Sequence, residues 1–138
     1  MGVSAFGLSV ASSSKRKGDR GELEVQAILR ELLGVPARRA LGAGRRDDVG
    51  DITGVPNTVI QVADWKDVLR AVREKPLQCE EQRLRSKNGV EWRDMSPFVR
   101  HAVDVPCPFA ATFIRLRGPV WRVVQTPEQW CAMWRETL

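Results

Sequence analysis

Three side chains in the middle of the sequence have the types and spacing needed to cut a phosphodiester bond with the help of a divalent metal. Asp51 and Asp64 supply carboxylate oxygens, the ligands that Mg²⁺ prefers, and Lys66 follows Asp64 by two positions. The two carboxylates, with the backbone carbonyl of Trp65, would hold Mg²⁺. Lys66 would position the attacking water and offset charge in the transition state. Ordinary charged residues at the ends of strands are the alternative interpretation.

A β-hairpin is the element that must position these groups. Residues 49–54 and 58–65 have strand-like composition, and the turn between them carries Pro56 at its second position and Asn57 at its third. These residue types favour a tight turn closed by the residues on either side. The sequence therefore predicts two antiparallel strands with a defined register.

That register decides whether the acids meet. Counted back from the turn, Asp51 lies opposite Val62, and Asp64 is its diagonal neighbour on the same face. The two-residue period of a strand places Lys66 on that face and Trp65 on the opposite one, in the core. A slip of one residue would separate the groups.

A helix predicted over 21–33 brings a third acid to the site. Its wheel places Glu22 at the head of an apolar stripe of Val25, Leu29 and Leu32, whereas Glu24 and Glu31 face elsewhere. We expect this helix to pack over the hairpin and to direct Glu22 toward Asp51.

The remaining elements complete an α/β pattern. The sequence predicts a short strand over 38–41, helices over 67–74 and 76–85, a second hairpin over 109–117 and 120–124, and a last helix that begins after Thr126 and carries Trp130 and Trp134 in the core. This order predicts a single domain with a central mixed sheet flanked by helices. We expect a flexible tail over 1–14, a domain over 15–138 and an insertion over 86–107.

Composition limits the protein class. The chain has 138 residues and a formal net charge of +5, enough for one domain. No apolar run approaches the roughly 20 residues of a membrane-spanning helix, so we expect no membrane association. Three widely spaced cysteines do not form the pattern of a disulfide framework, which favours a cytoplasmic protein.

Basic residues are concentrated in the first third of the chain, beside the predicted site. Such clusters can follow a phosphate backbone, and the alternative is a solubilising surface. The candidate DNA-binding residues are Lys15, Arg16, Lys17, Arg20, Arg38, Arg39, Arg45 and Arg46.

Several of these positions together resemble the PD-(D/E)xK nuclease superfamily. The matching residues are Lys17-Gly18 with Glu22, Arg39 before a glycine-containing loop, Asp51-Ile52 with Gly54, and the segment from Ile60 to Lys66. More narrowly, they resemble the Hjc-type Holliday-junction resolvases of archaea and phages. Asp64 departs from the pattern, since Glu is commoner there.

The resemblance implies a restriction-endonuclease-like fold and a homodimer that nicks four-way DNA junctions with Mg²⁺, for which Mn²⁺ can substitute. Glu22, Asp51 and Asp64 would then be metal ligands, Lys66 the catalytic lysine, and Arg39 a contact to the phosphate backbone. Two alternatives stay open: a restriction-like or repair endonuclease acting on linear duplex, and a non-catalytic DNA-binding protein on the same fold.

Overall fold

A computed structural model describes residues 13–40, 50–86 and 106–138 of the chain. Within these ranges a five-stranded mixed sheet is flanked by helices on both faces. In chain order the elements are α1 (Ser13–Leu33), β1 (Arg38–Arg39), β2 (Ile52–Thr53), β3 (Thr58–Ala63), α2 (Val68–Arg85), β4 (Phe109–Arg115), β5 (Trp121–Val124) and α3 (Pro127–Arg135). The described part of the chain is therefore one small α/β domain, as the sequence predicts.

The strands lie in chain order across the sheet, β1-β2-β3-β4-β5. Only β3 and β4 run parallel, and α2 connects them as a crossover helix. The other neighbouring pairs are antiparallel. As a result, the end of β3 and the end of β4 reach the same edge of the sheet, close to the beginning of β5.

Helix α1 packs on one face through its apolar stripe. Val25 and Leu29 are buried against Ile52, Ile60 and Phe113. Leu32, predicted on the same stripe, is 75% exposed because it lies in the last turn of the helix. The helix begins earlier than the sequence predicts, because lysine and arginine are good helix formers and continue it beyond the apolar stripe. The expected tail over 1–14 thus overlaps α1 by its last two positions, and residues 1–12 lie outside the described ranges.

Helix α2 covers the other face as one element, so the prediction of two shorter helices is wrong. Pro76 lies inside the helix and is buried. The apolar face continues on both sides of it through Ala71 and Cys79, so packing outweighs the lost hydrogen bond. Asp67 caps the helix by accepting from the amide of Arg70 at 3.0 Å.

The second hairpin and the last helix form where they are predicted. Thr126 and Gln129 make a complete capping box at the start of α3. The prediction that Trp130 and Trp134 belong to the core is wrong, because they are 55% and 52% exposed. Of the residues of α3, only Gln129 is buried, so this helix touches the sheet along a narrow line.

The ends of the predicted insertion over 86–107 belong to the domain itself. Ser86 and Cys107 are both buried, and the amide of Cys107 donates to the hydroxyl of Ser86 at 2.9 Å. Residues 87–105 lie outside the described ranges. In the parts of the chain that are described, no helix is long and apolar enough to span a membrane.

Candidate functional site

The first hairpin has a register that differs by one residue from the predicted one. Asn57 adopts a φ of 57°, as the third position of the predicted turn requires. However, Ile52 pairs with Ile60, whereas counting back from the predicted turn places Ile52 opposite Gln61. The buried cluster explains the choice, since this pairing puts both isoleucines on the face that α1 covers.

Asp51 nevertheless reaches Val62, through its side chain rather than through backbone pairing. Its amide donates to the carbonyl of Ile60 at 2.7 Å, and its Oδ2 accepts from the amide of Val62 at 2.8 Å. The carboxylate thereby occupies the place of a backbone acceptor beside β3. Gly50 permits this irregular path: its φ is +87°, and an added Cβ would lie 2.5 Å from the carbonyl oxygen of Ile60.

Glu22 points from α1 toward the same place and is paired with Arg39. The Nε of Arg39 lies 3.1 Å from Glu22 Oε1, and its Nη2 lies 2.6 Å from Asp19 Oδ1. Burial raises the pKa of Glu22, the hydrogen bond from Arg39 opposes this, and the negative charge of Asp51 raises it further. Asp51 is therefore near enough to Glu22 for its charge to affect this pKa.

Asp64 follows the end of β3 on the α1 side of the sheet. Its Oδ2 lies 3.1 Å from Nη1 of Arg115, and its side chain is only 6% exposed. A Cβ added to Gly21 would lie 3.5 Å from the Cβ of Asp64, so α1 passes close to this residue beside Glu22. Three segments of the chain thus bring Glu22, Asp51 and Asp64 to the end of β3.

Arg115 and Trp121 connect Asp64 to a further acid of α1, Glu24. Arg115 also lies 3.5 Å from Glu24 through its Nη2, and Trp121 donates its ring N–H to Glu24 at 3.0 Å. The guanidinium of Arg115 stands 6.0 Å from the centre of the Trp121 ring. Glu24 lies off the apolar stripe, as predicted, and Trp121 from β5 and Arg115 from β4 reach across to it.

Lys66 lies beyond the regular part of the strand. Strand β3 ends at Ala63, and Lys66 is an exposed residue in the bend that leads to α2. The alternation that predicts its face applies only within a strand. The side chain of Trp65 packs on the predicted side, near Ala71, but it is only partly buried, with Arg70 5.4 Å from the centre of its ring. The Trp65 carbonyl as a ligand stays a prediction.

The predicted ligands have the chemistry of a Mg²⁺ site, since all three side chains are carboxylates. As they stand, Glu22 is engaged by Arg39, Asp51 by an amide and Asp64 by Arg115. Within residues 13–40, 50–86 and 106–138, no group of three or more acidic, histidine or cysteine side chains is arranged to hold a metal ion. The donor set fits a divalent ion in kind, and an ion would have to replace some of these contacts.

The predicted DNA-binding residues have different surroundings. Arg20 and Arg38 are exposed, whereas Arg39 is 21% exposed and pairs with two acids. In this structure the charge of Arg39 is therefore balanced by Glu22 and Asp19. Lys15, Arg16 and Lys17 belong to the beginning of α1, and Arg45 and Arg46 lie outside the described ranges.

Sequence reasoning missed Glu24, Arg115 and Trp121. Arg115 ends β4, and the parallel register pairs its neighbour Ile114 with Ala63, directly before Asp64. Predicting that β3 and β4 pair in parallel would have placed Arg115 beside Asp64. The hydrogen bond between Trp121 and Glu24 joins residues 97 positions apart, so no local sequence pattern predicts it.

Comparisons of the chain with protein-family models, with curated proteins and with solved structures found no significant match. The functional assignment therefore depends on the residues themselves and on their geometry.

Proposed function

We propose that this protein is a metal-dependent endonuclease that hydrolyses phosphodiester bonds in branched DNA, with the four-way junction as its preferred substrate. The observation that carries the proposal is the approach of Glu22, Asp51 and Asp64, from three separate segments, to the end of β3. Arg39 and Arg115 balance two of these acids as they stand, and in this proposal a divalent ion takes over part of that charge.

In this proposal Glu22, Asp51 and Asp64 bind Mg²⁺, with the carbonyl of Trp65 as a further ligand and Mn²⁺ as a substitute. The ion would supply positive charge for the phosphate and would acidify a bound water. Lys66, exposed beside the site, orients the water and offsets negative charge on the phosphate in the transition state. The proposed fold relationship is to the restriction-endonuclease-like nucleases.

Exposed basic residues support a nucleic-acid substrate. Arg20 on α1 and Arg38 on β1 are exposed and would contact backbone phosphates. A homodimer would provide two such sites for the two opposed strands of a junction. Contact with cellular DNA places the proposed activity in the cytoplasm of a cell without a nucleus, or of a phage-infected one.

The test is a cleavage assay with labelled four-way junction, linear duplex and single strand, each with Mg²⁺ or with EDTA. The matched variants are Asp64→Asn in the site and Asp67→Asn three residues away, where asparagine can still cap α2. We expect symmetrical junction nicks from the wild type and from Asp67→Asn, and none from Asp64→Asn or in EDTA. Equal cleavage of linear duplex would instead indicate a restriction-like or repair enzyme.

A non-catalytic DNA-binding protein is the second candidate. The pairing of Glu22 with Arg39 and of Asp64 with Arg115 favours it, because these arginines already balance the acids without a metal. Tight junction binding that is the same in Mg²⁺ and in EDTA, with no cleavage of any substrate, would establish this alternative.

A further inference from the structure

Arg115 neutralises Asp64 from within the protein, at the place where the proposed ion would bind. The Nη1–Oδ2 distance is 3.1 Å, and the side chains of Arg115 and Asp64 are 16% and 6% exposed. A buried carboxylate group needs a positive or hydrogen-bonding partner to offset the loss of water around it. Arg115 is such a partner.

The position of Arg115 does not depend on Asp64 alone. Its Nε donates to the carbonyl of Gly118 at 2.7 Å, in the turn that joins β4 to β5. Its Nη2 lies 3.5 Å from Glu24, and its guanidinium stands near the ring of Trp121. These contacts hold the guanidinium in this part of the site without Asp64.

A divalent ion on Asp64 would therefore meet a fixed positive charge. Two cations on one buried carboxylate repel each other strongly, because little water screens them. The ion must offset this repulsion, and the negative charge of Glu24 lowers it because Glu24 lies 3.5 Å from the same guanidinium.

We propose that Arg115 is the internal counter-cation of Asp64 and competes with the divalent ion for it, and that Glu24 retains the guanidinium when the ion binds. Arg115 is thus a positioning residue that holds the Asp64 carboxylate in place until an ion arrives. The inference rests on the proposed function, in which Asp64 is a metal ligand.

The experiment measures binding of Mg²⁺ and Mn²⁺ by titration calorimetry, and thermal unfolding in EDTA. The variants are Arg115→Gln, which removes the charge, and Arg115→Lys, which keeps it. Arg117→Gln is the control, because it removes the same charge from an exposed residue two positions away. All measurements use the full chain without DNA, so that the result does not depend on catalytic activity.

We expect Arg115→Gln to bind the ions about 10-fold more tightly than the wild type and to unfold at a lower temperature in EDTA. The other two variants should bind within about twofold of the wild type. A residue with only a structural role would lose stability and metal affinity together. Unchanged or weaker binding by folded Arg115→Gln would overturn the inference.

If Arg115→Gln does not fold in EDTA, Glu24→Gln provides the second test. Without the charge of Glu24, the guanidinium interacts more strongly with Asp64, so Glu24→Gln should bind the ions more weakly than the wild type. Glu31→Gln, which changes an exposed acid of the same helix, is the control and should weaken binding less. Equal effects of the two variants would contradict the competition.

The two proposals can fail separately. If the wild type binds the ions and Arg115→Gln binds them no more tightly, only the proposed competition is refuted. If Arg115→Gln binds them and the wild type does not, the competition is supported, and the wild type is not a metal-dependent enzyme. Absence of binding in both proteins overturns the metal site and the competition together.

Discussion

The carboxylate of Asp51 accepts a hydrogen bond from the backbone amide of Val62 at 2.8 Å. The side chain thus takes the place of a strand carbonyl, beside a hairpin whose register differs by one residue from the predicted one. An acid used in this way is fixed by the fold, and its charge remains available for a cation. The consequence can be tested by separating the hydrogen bond from the charge.

Asp51→Asn should retain the structure and lose the proposed activity. The amide oxygen of asparagine can still accept from Val62, so we expect the free energy of unfolding to stay within about 1 kcal/mol of the wild type. Asp51→Ala leaves that amide without its acceptor and should cost about 1–3 kcal/mol. Urea denaturation and junction cleavage measure the two effects. Full cleavage by folded Asp51→Asn would exclude Asp51 as a metal ligand.

Glu22 should make stability depend on pH. Its pKa is raised, mainly by burial, so on acidification the folded protein takes up this proton before the unfolded chain does. This group therefore adds stability as pH falls from the raised pKa to the ordinary one, and ionised Glu22 costs stability at neutral pH. Glu22→Gln should raise the unfolding temperature at pH 7 in EDTA and flatten its pH dependence in that window.

The control for Glu22 is Glu31→Gln, an exposed glutamate on the same helix. Thermal unfolding across a pH series in EDTA compares the two variants with the wild type. A lower unfolding temperature of Glu22→Gln at pH 7 would mean that the ion pair with Arg39 outweighs the cost of burial.

Gly50→Ala should be strongly destabilising, because the substitution meets both backbone strain and a clash. A φ of +87° is unfavourable for alanine, and its Cβ would lie 2.5 Å from the Ile60 carbonyl oxygen. We expect a loss above about 2 kcal/mol. Gly34→Ala shares the positive φ but has open space around the added atom, so about 1 kcal/mol is expected. Denaturant unfolding measures both variants. Equal losses of stability in Gly50→Ala and Gly34→Ala would show that backbone strain, and not the clash, determines the cost.

Trp134→Ala should cost little stability. The ring is 52% exposed and stands 5.6 Å from the ring of Trp130, a pair worth about 0.5–1.5 kcal/mol. Ile114→Ala, in the buried sheet, should cost about 2–5 kcal/mol. Chemical denaturation of both variants checks the order. A larger loss for Trp134→Ala would mean that other parts of the chain cover this helix.

Arg20 and Arg39 should differ in their effect on DNA binding. Arg20 is exposed, so Arg20→Gln should lower the slope of log affinity against log salt by about 0.9 if it contacts one phosphate. Arg39 is held by Asp19 and Glu22, so Arg39→Gln should mainly lower stability and change the slope less. Fluorescence anisotropy with a junction across a salt series measures both. Equal slope changes would show that Arg39 leaves its acids to bind DNA.

Much of the local structure could be predicted because it depends on neighbouring residues. Asn57 accepts a positive φ in its turn, and Thr126 with Gln129 caps α3 through a motif four residues long. Pro76 misled the prediction, since the energy that keeps α2 continuous comes from packing against the sheet.

The sequence by itself determined the α/β class and the order of the elements, and it singled out Glu22, Asp51 and Asp64 as candidates. Only the tertiary structure decided the hairpin register and the partners of those acids. The ion pair of Asp64 with Arg115 spans 51 positions and depends on the parallel pairing of β3 with β4. Local patterns report backbone preferences and amphipathic faces, whereas such contacts follow from how the buried faces of distant elements pack together.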